Sequence, residues 1–393
     1  MKKIAIVVPS LAIGGCERSV CNISYALKDK YEVYIVLFNG EDIHYNFNGT
    51  LIDLKLAAHP NPFVKIYNTI ARVIKLKKLN KKYKFDYIYT FLGPTHLINY
   101  VSFGKTKKIM SCRGFSYLYD YKKEYCKMTE KSDAIIFNSQ YMRDYFKDLY
   151  PKLRNKAFTV NNVFETAKIV DSGSAQTEVE FEKFLNSHKT IVATGRFCKE
   201  KGFDNLIKAF SFAKKKNENA GLVLVGGGEL EDKLKKLAED LEVTDSIYFT
   251  GYTDNPYKYM ARCDIFTLSS RNEGFPNVLM EAMILGKPAI SLNCKTGPSE
   301  IIFKNFDYDL KVNERIFGDY GVILPAIENE EDYNPNNVDE LHKIYGRALN
   351  ELLDSEELIA KYKELSKIRS LEYTKEKIAD EFENIFERIG EIP

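Results

Sequence analysis

The sequence predicts two α/β domains, each a parallel sheet wound with helices. Three observations carry this. At 393 residues the chain exceeds what one ordinary hydrophobic core encloses. Short apolar runs alternate with amphipathic stretches, the pattern of strands joined by crossover helices. The alternation lapses once, from Glu165 to His188, and then restarts.

In the first half, strands are expected at Ile4–Val8, Val33–Phe38, Asp86–Phe91, Lys108–Ser111, Ala134–Asn138 and Ala157–Val160, with a first helix at Glu17–Leu27. Residues 166–188 contain Asp171-Ser-Gly-Ser-Ala-Gln-Thr and are expected as a polar linker. Strands resume at Thr190–Thr194, Leu222–Val225, Ile247–Gly251, Ile265–Leu268, Ala289–Ser291 and Val322–Leu324, and after Asp339 the chain is almost wholly helix-forming. This gives domains at 1–165 and 189–372 and a final helix at 373–393.

Composition removes several function classes. Hydrophobic residues at 45% and charged residues at 28% describe a soluble globular chain. A net charge of +2 supplies no global field for nucleic acid, and no nucleic-acid partner is expected. No run approaches the ~18–20 apolar residues that span a bilayer. The opening Met1-Lys-Lys-Ile-Ala-Ile-Val-Val-Pro9 runs into glycines without a cleavage site, so it reads as a first strand and a cytoplasmic location is expected. The seven cysteines form no CxxC pair, which suggests neither zinc site nor disulfide framework.

Three motifs carry chemistry. Ser269-Ser-Arg-Asn-Glu273-Gly-Phe-Pro276-Asn-Val-Leu-Met-Glu281 follows a strand. Pro276 suits a first helical position, and Gly286 with Pro288 closes the helix. Gly274, Phe275, Pro276 and Asn277 would then form a helix start that offers backbone N–H groups and a positive dipole end to an anion. Glu273 and Glu281 would lie ~8 Å or more apart along the axis, a spacing that suits gripping two parts of one elongated ligand. Two surface glutamates on an ordinary helix are the alternative.

The second motif, Thr194-Gly-Arg196-Phe-Cys-Lys-Glu-Lys201-Gly, follows the first strand of the second half, beyond the strand end where open α/β sheets bind ligands. Arg196 offers a planar donor fork to phosphate oxygens and Lys201 a mobile point charge. The third, Ile13-Gly14-Gly15-Cys16-Glu17, lets backbone approach a phosphate or makes a tight structural turn. It is not the dinucleotide fingerprint, which disfavours a nicotinamide-dependent oxidoreductase.

These motifs, in this order, resemble the retaining GT-B glycosyltransferases of glycosyltransferase family 4, particularly bacterial enzymes of surface polysaccharide and lipid-linked glycan synthesis. The first matches that family's E-x7-E element, the second its G-R-x(n)-K-G loop and the third its G-G-x-E loop. Val225-Gly-Gly-Gly228-Glu, Phe249-Thr-Gly-Tyr252 and Gly297-Pro-Ser-Glu300-Ile are supporting landmarks. The resemblance covers nearly the whole chain and implies two Rossmann-like domains facing across a cleft, the last helix crossing back to the first domain. It implies a nucleotide-sugar donor, commonly UDP-linked, and a glycan or polyprenyl-diphosphate-linked acceptor.

By that resemblance Glu281 holds the ribose hydroxyls and Glu273 contacts the transferred hexose. The Gly274–Asn277 amides bind sugar hydroxyls or the β-phosphate. Arg196 and Lys201 neutralise the departing diphosphate with help from the Gly15 N–H, and the Gly251–Tyr252 backbone reads the base. No metal or other cofactor is implied. Asp307-Tyr-Asp309 has the look of a DxD metal motif but lies in a polar insertion without strand-end context.

One departure concerns Met110-Ser-Cys-Arg113-Gly-Phe, where many members carry histidine. Arg113 cannot accept a proton at neutral pH, and a phosphate-holding role on donor or acceptor replaces it. His96 and Tyr117 are further acceptor-side candidates, against structural roles for both. Phe63–Lys82 forms a helix with Phe63, Ile66, Tyr67, Ile70, Val73 and Ile74 in one stripe and Lys65, Arg72, Lys75, Lys78 and Lys82 elsewhere. Either the stripe packs on the sheet, or the helix rests on anionic lipid headgroups. A UDP-N-acetylhexosamine 2-epimerase and a non-catalytic sugar-nucleotide binder are the competing functions. The joint presence of Arg196, Lys201, Glu273 and Glu281 disfavours both.

Overall fold

All twelve expected strands form, and two short edge strands join them. The computed structural model describes residues 1–307 and 309–391. The chain divides into two units, Met1–Phe164 with Tyr373–Pro393, and Glu165–Glu372. The first holds β1 (Lys2–Val8), β2 (Tyr31–Leu37), β3 (Thr50–Asp53), β4 (Tyr87–Thr90), β5 (Lys107–Cys112), β6 (Ala134–Phe137) and β7 (Ala157–Thr159). They form one parallel sheet in the order β3-β2-β1-β4-β5-β6-β7. The second unit holds β8 (Lys189–Thr194), β9 (Ala220–Val225), β10 (Ile247–Phe249), β11 (Ile265–Leu268), β12 (Ala289–Leu292), β13 (Ile316–Phe317) and β14 (Val322–Leu324). Their order is β10-β9-β8-β11-β12-β14-β13, parallel except for the β13–β14 pair.

Strand β1 shows why the pattern was readable. Ile4, Ile6 and Val8 point into a core with α1 (Gly15–Leu27) and the last helix, while Ala5 and Val7 point into a second core with α2 (Pro62–Tyr83). A parallel sheet covered on both faces makes such strands continuously apolar. The last helix, Lys375–Glu391, buries Phe382, Phe386 and Ile389 in the core of the first unit. Its Phe386 ring stacks on Tyr87 at 4.6 Å, and Lys30 Nζ reaches Asp380 Oδ1 at 2.6 Å. Phe164 and Thr374 form an isolated parallel bridge where the chain leaves this unit and returns.

One expectation is corrected, and one of two open alternatives is set aside. The segment 166–188 is not an irregular linker: Thr166–Gly173 and Val179–Ser187 are helices of the second unit. Phe181 is fully buried against Tyr248 and Tyr259, and Glu178 ties to Lys258 and the Tyr259 hydroxyl at 2.8 Å each. Helices of two turns with one buried apolar side chain apiece lack the repeat that periodicity detects. In α2 the predicted stripe, Val73 apart, does not pack on the sheet. Leu76 and Arg72 are its buried side chains, and Phe63, Ile66, Tyr67, Ile70 and Ile74 are exposed. No described helix is long and apolar enough to cross a membrane.

Candidate active site

The order of the second sheet reverses at β8, which lies between β9 and β11. Loops leaving the carboxyl ends of two such strands diverge and open a crevice. The Arg196–Lys201 loop leaves β8 and the Glu273 loop leaves β11, so topology puts the two strongest motifs side by side. Hydrogen bonds stitch them together: Arg271 N donates to Glu200 O at 2.8 Å, and Ser269 Oγ to Lys201 O at 2.8 Å. Gly202 makes the crossing possible. Its φ is +62° and a Cβ there would sit 2.2 Å from Ser269 O, so only glycine fits.

Within this crossing Lys201 Nζ lies 2.7 Å from Glu273 Oε1, and Ser270 Oγ donates to the same oxygen at 2.7 Å. Burial pulls the Lys201 ammonium down, but the Glu273 carboxylate outweighs it and the pKa is raised. The cation is therefore permanent near neutral pH. Arg196, on the same loop, is exposed.

The turn after Glu273 leads into the helix Asn277–Ile284. Pro276 occupies the capping position, with extended backbone (φ −74°, ψ 96°), rather than the first helical position expected. The helix starts one residue later because Gly274–Pro276 packs against the next loop. Thr296 Oγ1 donates to the Glu273 carbonyl, and a Cβ on Gly297, at φ +89°, would meet Pro276 Cδ at 2.4 Å and Gly274 O at 3.1 Å. The far end closes as read. Gly286 takes φ +68°, its N–H donates to Met283 O, and Lys287 N–H donates to Ala282 O, each at 2.9 Å, the paired bonds of a left-handed helix stop. Glu281 is 1% exposed, so it is no surface glutamate.

Further along the same sheet edge, Gly226 at the end of β9 bridges Gly251. The Gly251–Tyr252 segment lies there, with Gly251 at φ +68° and Tyr252 exposed. The second unit thus brings Arg196, Lys201, Glu273–Asn277 and Gly251–Tyr252 to one edge.

The first unit gathers its own set at the β1–β4 reversal. Gly14 caps α1 and donates its N–H to the Tyr45 hydroxyl at 3.2 Å, and Gly15 is exposed at the helix start. Arg113, after β5, donates to Ser111 Oγ (2.7 Å), Asn162 Oδ1 (3.0 Å) and Tyr89 Oη (3.0 Å) and lies over the Phe91 ring. All three acceptors are neutral, and among the described residues Arg113 makes no ion pair. Its positive charge is held in place without being cancelled. Burial pushes the neighbouring Cys16 thiol up to about 12, against the pull of Arg113, so Cys16 stays a protonated filler. All seven cysteines are free. Tyr117 is exposed.

His96 is not. It is fully buried, its Nδ1 lies 2.9 Å from Thr90 Oγ1, and burial drops its pKa to about 4. It is a neutral core side chain closed off from solvent, not the exposed imidazole an acceptor contact needs. Asp307 accepts the Asp309 amide at 2.9 Å in a local turn. Tyr308 of that triplet lies outside the described residues.

Two family comparisons cover most of this framework. Residues 13–168 match Glycosyltransferase Family 4, and residues 175–311 match Glycosyl transferases group 1. The chain is a family 4-like glycosyltransferase with the GT-B fold. The glycosyltransferase is 26% identical over 396 residues to the N-acetylgalactosamine-N,N'-diacetylbacillosaminyl-diphospho-undecaprenol 4-alpha-N-acetylgalactosaminyltransferase of Campylobacter jejuni, covering 96% of this chain and 98% of that one. It is 27% identical over 355 residues to an uncharacterized glycosyltransferase of Methanocaldococcus jannaschii, covering 83% and 85%. Among solved structures, Anabaena HepE in complex with UDP and glucose superposes with a TM-score of 0.71 at 14% identity, covering 98% and 99%.

Sequence reasoning left several residues of this glycosyltransferase unassigned. Arg271 stood inside the quoted motif and Asp204 two residues past the Lys201-Gly pair. Ser270 and Thr296 carry no signal of their own, since a hydroxyl gains meaning only from what it touches. Gly297 was a landmark without a reason, and its reason is the contact with Pro276. Gly297→Ala is expected to cost ~1–3 kcal/mol of backbone strain and, by displacing Gly274–Pro276, to lower turnover about 10²-fold. Melting and turnover measured together check this; unchanged turnover would separate the turn from the reaction.

Proposed function

We propose that this glycosyltransferase moves a hexose or N-acetylhexosamine from a UDP-linked donor, with retention of configuration and without a metal ion, to a glycan or polyprenyl-diphosphate-linked acceptor. The observation that carries the reading is the Lys201–Glu273 pair at the β8–β11 reversal, beside exposed Arg196 and the Gly274–Asn277 helix start. A departing diphosphate needs cations and N–H groups already in place. These residues supply them without the reorganisation that water requires. Glu273 sits where a carboxylate can stabilise the positive charge that grows on the sugar ring as the bond to phosphate breaks.

The remaining roles follow the family resemblance. Glu281 grips the ribose, Gly251 and Tyr252 face the base, Gly15 contributes an N–H to phosphate, and Arg113 holds a phosphate of donor or acceptor. The held but uncancelled charge of Arg113 supports that last role. The uridine donor draws support from the UDP-bound neighbour. The lipid-linked acceptor draws support from the Campylobacter relative, whose name specifies a diphospho-undecaprenol substrate and an α-linkage. An α-linkage made from an α-linked nucleotide sugar is retention.

A panel of UDP-, GDP- and ADP-sugars, scored by release of free nucleotide, tests the donor. Release is expected from a UDP-sugar, undiminished by EDTA. Activity abolished by EDTA and restored by Mn²⁺ or Mg²⁺ would overturn the metal-free reading and return attention to Asp307 and Asp309.

A further inference from the structure

Helix α2 turns its apolar side chains to solvent. Phe63, Ile66, Tyr67, Ile70 and Ile74 are 83%, 60%, 68%, 56% and 49% exposed. At about 100° of turn per residue they form one stripe roughly 100° wide. Lys77 and Lys81, also exposed, continue the same stripe through the second half of the helix, with exposed Lys78 at its margin. The packed side chains, Arg72 and Leu76 with Leu79 and Tyr83, lie on the opposite side, and Val73 packs inward at the edge of the stripe. The helix is thus held from behind and presents a face that is apolar at its start and cationic at its end.

The rest of α2 agrees in sign. Its 22 residues hold six lysines, one arginine and no carboxylate, in a chain whose net charge is +2. Arg72 is spent internally, on Leu56 O at 2.6 Å and over the Phe38 ring, and Lys75 on Leu54 O at 2.6 Å. The stripe lysines therefore have no acidic neighbour on their own helix.

Position along the sheet gives the stripe a purpose. Phe38 directly follows β2, so its contact with Arg72 sets residue 72 level with the carboxyl end of that strand. Residues 63–71 therefore extend past the carboxyl edge, the edge that carries Gly15, Arg113 and Tyr117.

We propose that this face of α2 docks the chain on an anionic lipid bilayer, with Phe63, Ile66, Tyr67, Ile70 and Ile74 entering the headgroup–acyl boundary and Lys77, Lys78 and Lys81 on anionic headgroups. Apolar burial combined with cations is what interfacial helices use. Charge favours this occupant over a second copy of the chain, since a second such face offers no carboxylate to the lysines of the first. The inference deepens the reading of a lipid-linked acceptor, but vesicle binding is measured without turnover, so either can fail alone.

The test is co-sedimentation of the full chain with vesicles of phosphatidylglycerol and phosphatidylcholine in equal parts, or of phosphatidylcholine alone. Three forms are compared: wild type, Phe63→Ser/Ile66→Ser/Ile70→Ser, and Lys77→Gln/Lys78→Gln/Lys81→Gln. Wild type is expected to bind the anionic vesicles and to lose at least about tenfold in 0.5 M salt. Each triple variant should bind them at least about tenfold more weakly. Because every replaced side chain is exposed, melting and nucleotide release with a water-soluble acceptor should be unchanged. Wild type that ignores anionic vesicles, or variants that bind like wild type, would overturn the proposal. So would a wild type that sediments as a dimer without binding vesicles while the serine variant is monomeric, since the face would then join two copies.

Discussion

Glu273→Gln is expected to lower kcat by about 10²–10³-fold while UDP affinity holds or rises. The carboxylate binds Lys201 and Ser270 through one oxygen, so the amide keeps a hydrogen-bonding shape and loses the charge. That charge matters most when the sugar ring turns positive, which places the loss in the transition state. Lys201, released from its carboxylate, is left with more attraction for a diphosphate. Glu281→Gln should behave in the opposite way, weakening UDP and donor alike with a smaller change in kcat, the signature of lost uniform binding. Glu281 is buried, so its variant also needs a melting curve, and a large drop there would complicate a simple binding effect. Calorimetry with UDP beside steady-state turnover decides between them. If Glu273→Gln loses UDP binding and Glu281→Gln loses only kcat, the two assignments are reversed.

What the sequence made legible follows from how each feature is encoded. Interior strands such as Ile4–Val8 and Leu222–Val225 are buried on both faces, and a run of apolar residues says so directly. The edge strands Thr50–Asp53 and Ile316–Phe317 have no such run, because one side meets solvent or a single neighbour. The Glu273–Glu281 and Arg196–Lys201 motifs were visible because each follows a strand end. Their contact across the β8–β11 reversal was not, since it depends on strand order. Helix α2 left two readings open for a physical reason. An apolar stripe is usually what a helix buries, and here the buried side carries Arg72, whose guanidinium is satisfied by the carbonyls of Leu56 and Ala57.

The largest stability effect should come from a pair that never touches the reaction. The Arg271 guanidinium forks onto Asp204, at 2.8 Å to Oδ1 and 2.7 Å to Oδ2, with the two side chains 8% and 3% exposed. The same guanidinium donates to Asn329 O at 2.8 Å and Lys199 O at 3.0 Å. Arg271 therefore clamps the Lys201 loop, the Glu273 loop and the 328–332 segment to one another. Asp204 also accepts the Asp332 amide at 3.1 Å, and Asp332 pairs with fully buried Lys208 at 2.8 Å. Removing one member leaves the other charge buried and uncompensated, a cost of ~3–5 kcal/mol. Asp204→Ala and Arg271→Ala should each lower the melting point of the second unit by roughly 6–20 °C. The double variant Asp204→Leu/Arg271→Met removes both charges and should regain most of that stability, because a buried ion pair contributes little net over an apolar pair. It should not regain turnover, since the guanidinium that bonds both Lys199 O and Asn329 O is gone and the Lys201–Glu273 spacing relaxes. Stability restored without activity is the outcome that marks Arg271 as a positioning residue; restoration of both would reduce it to a packing role.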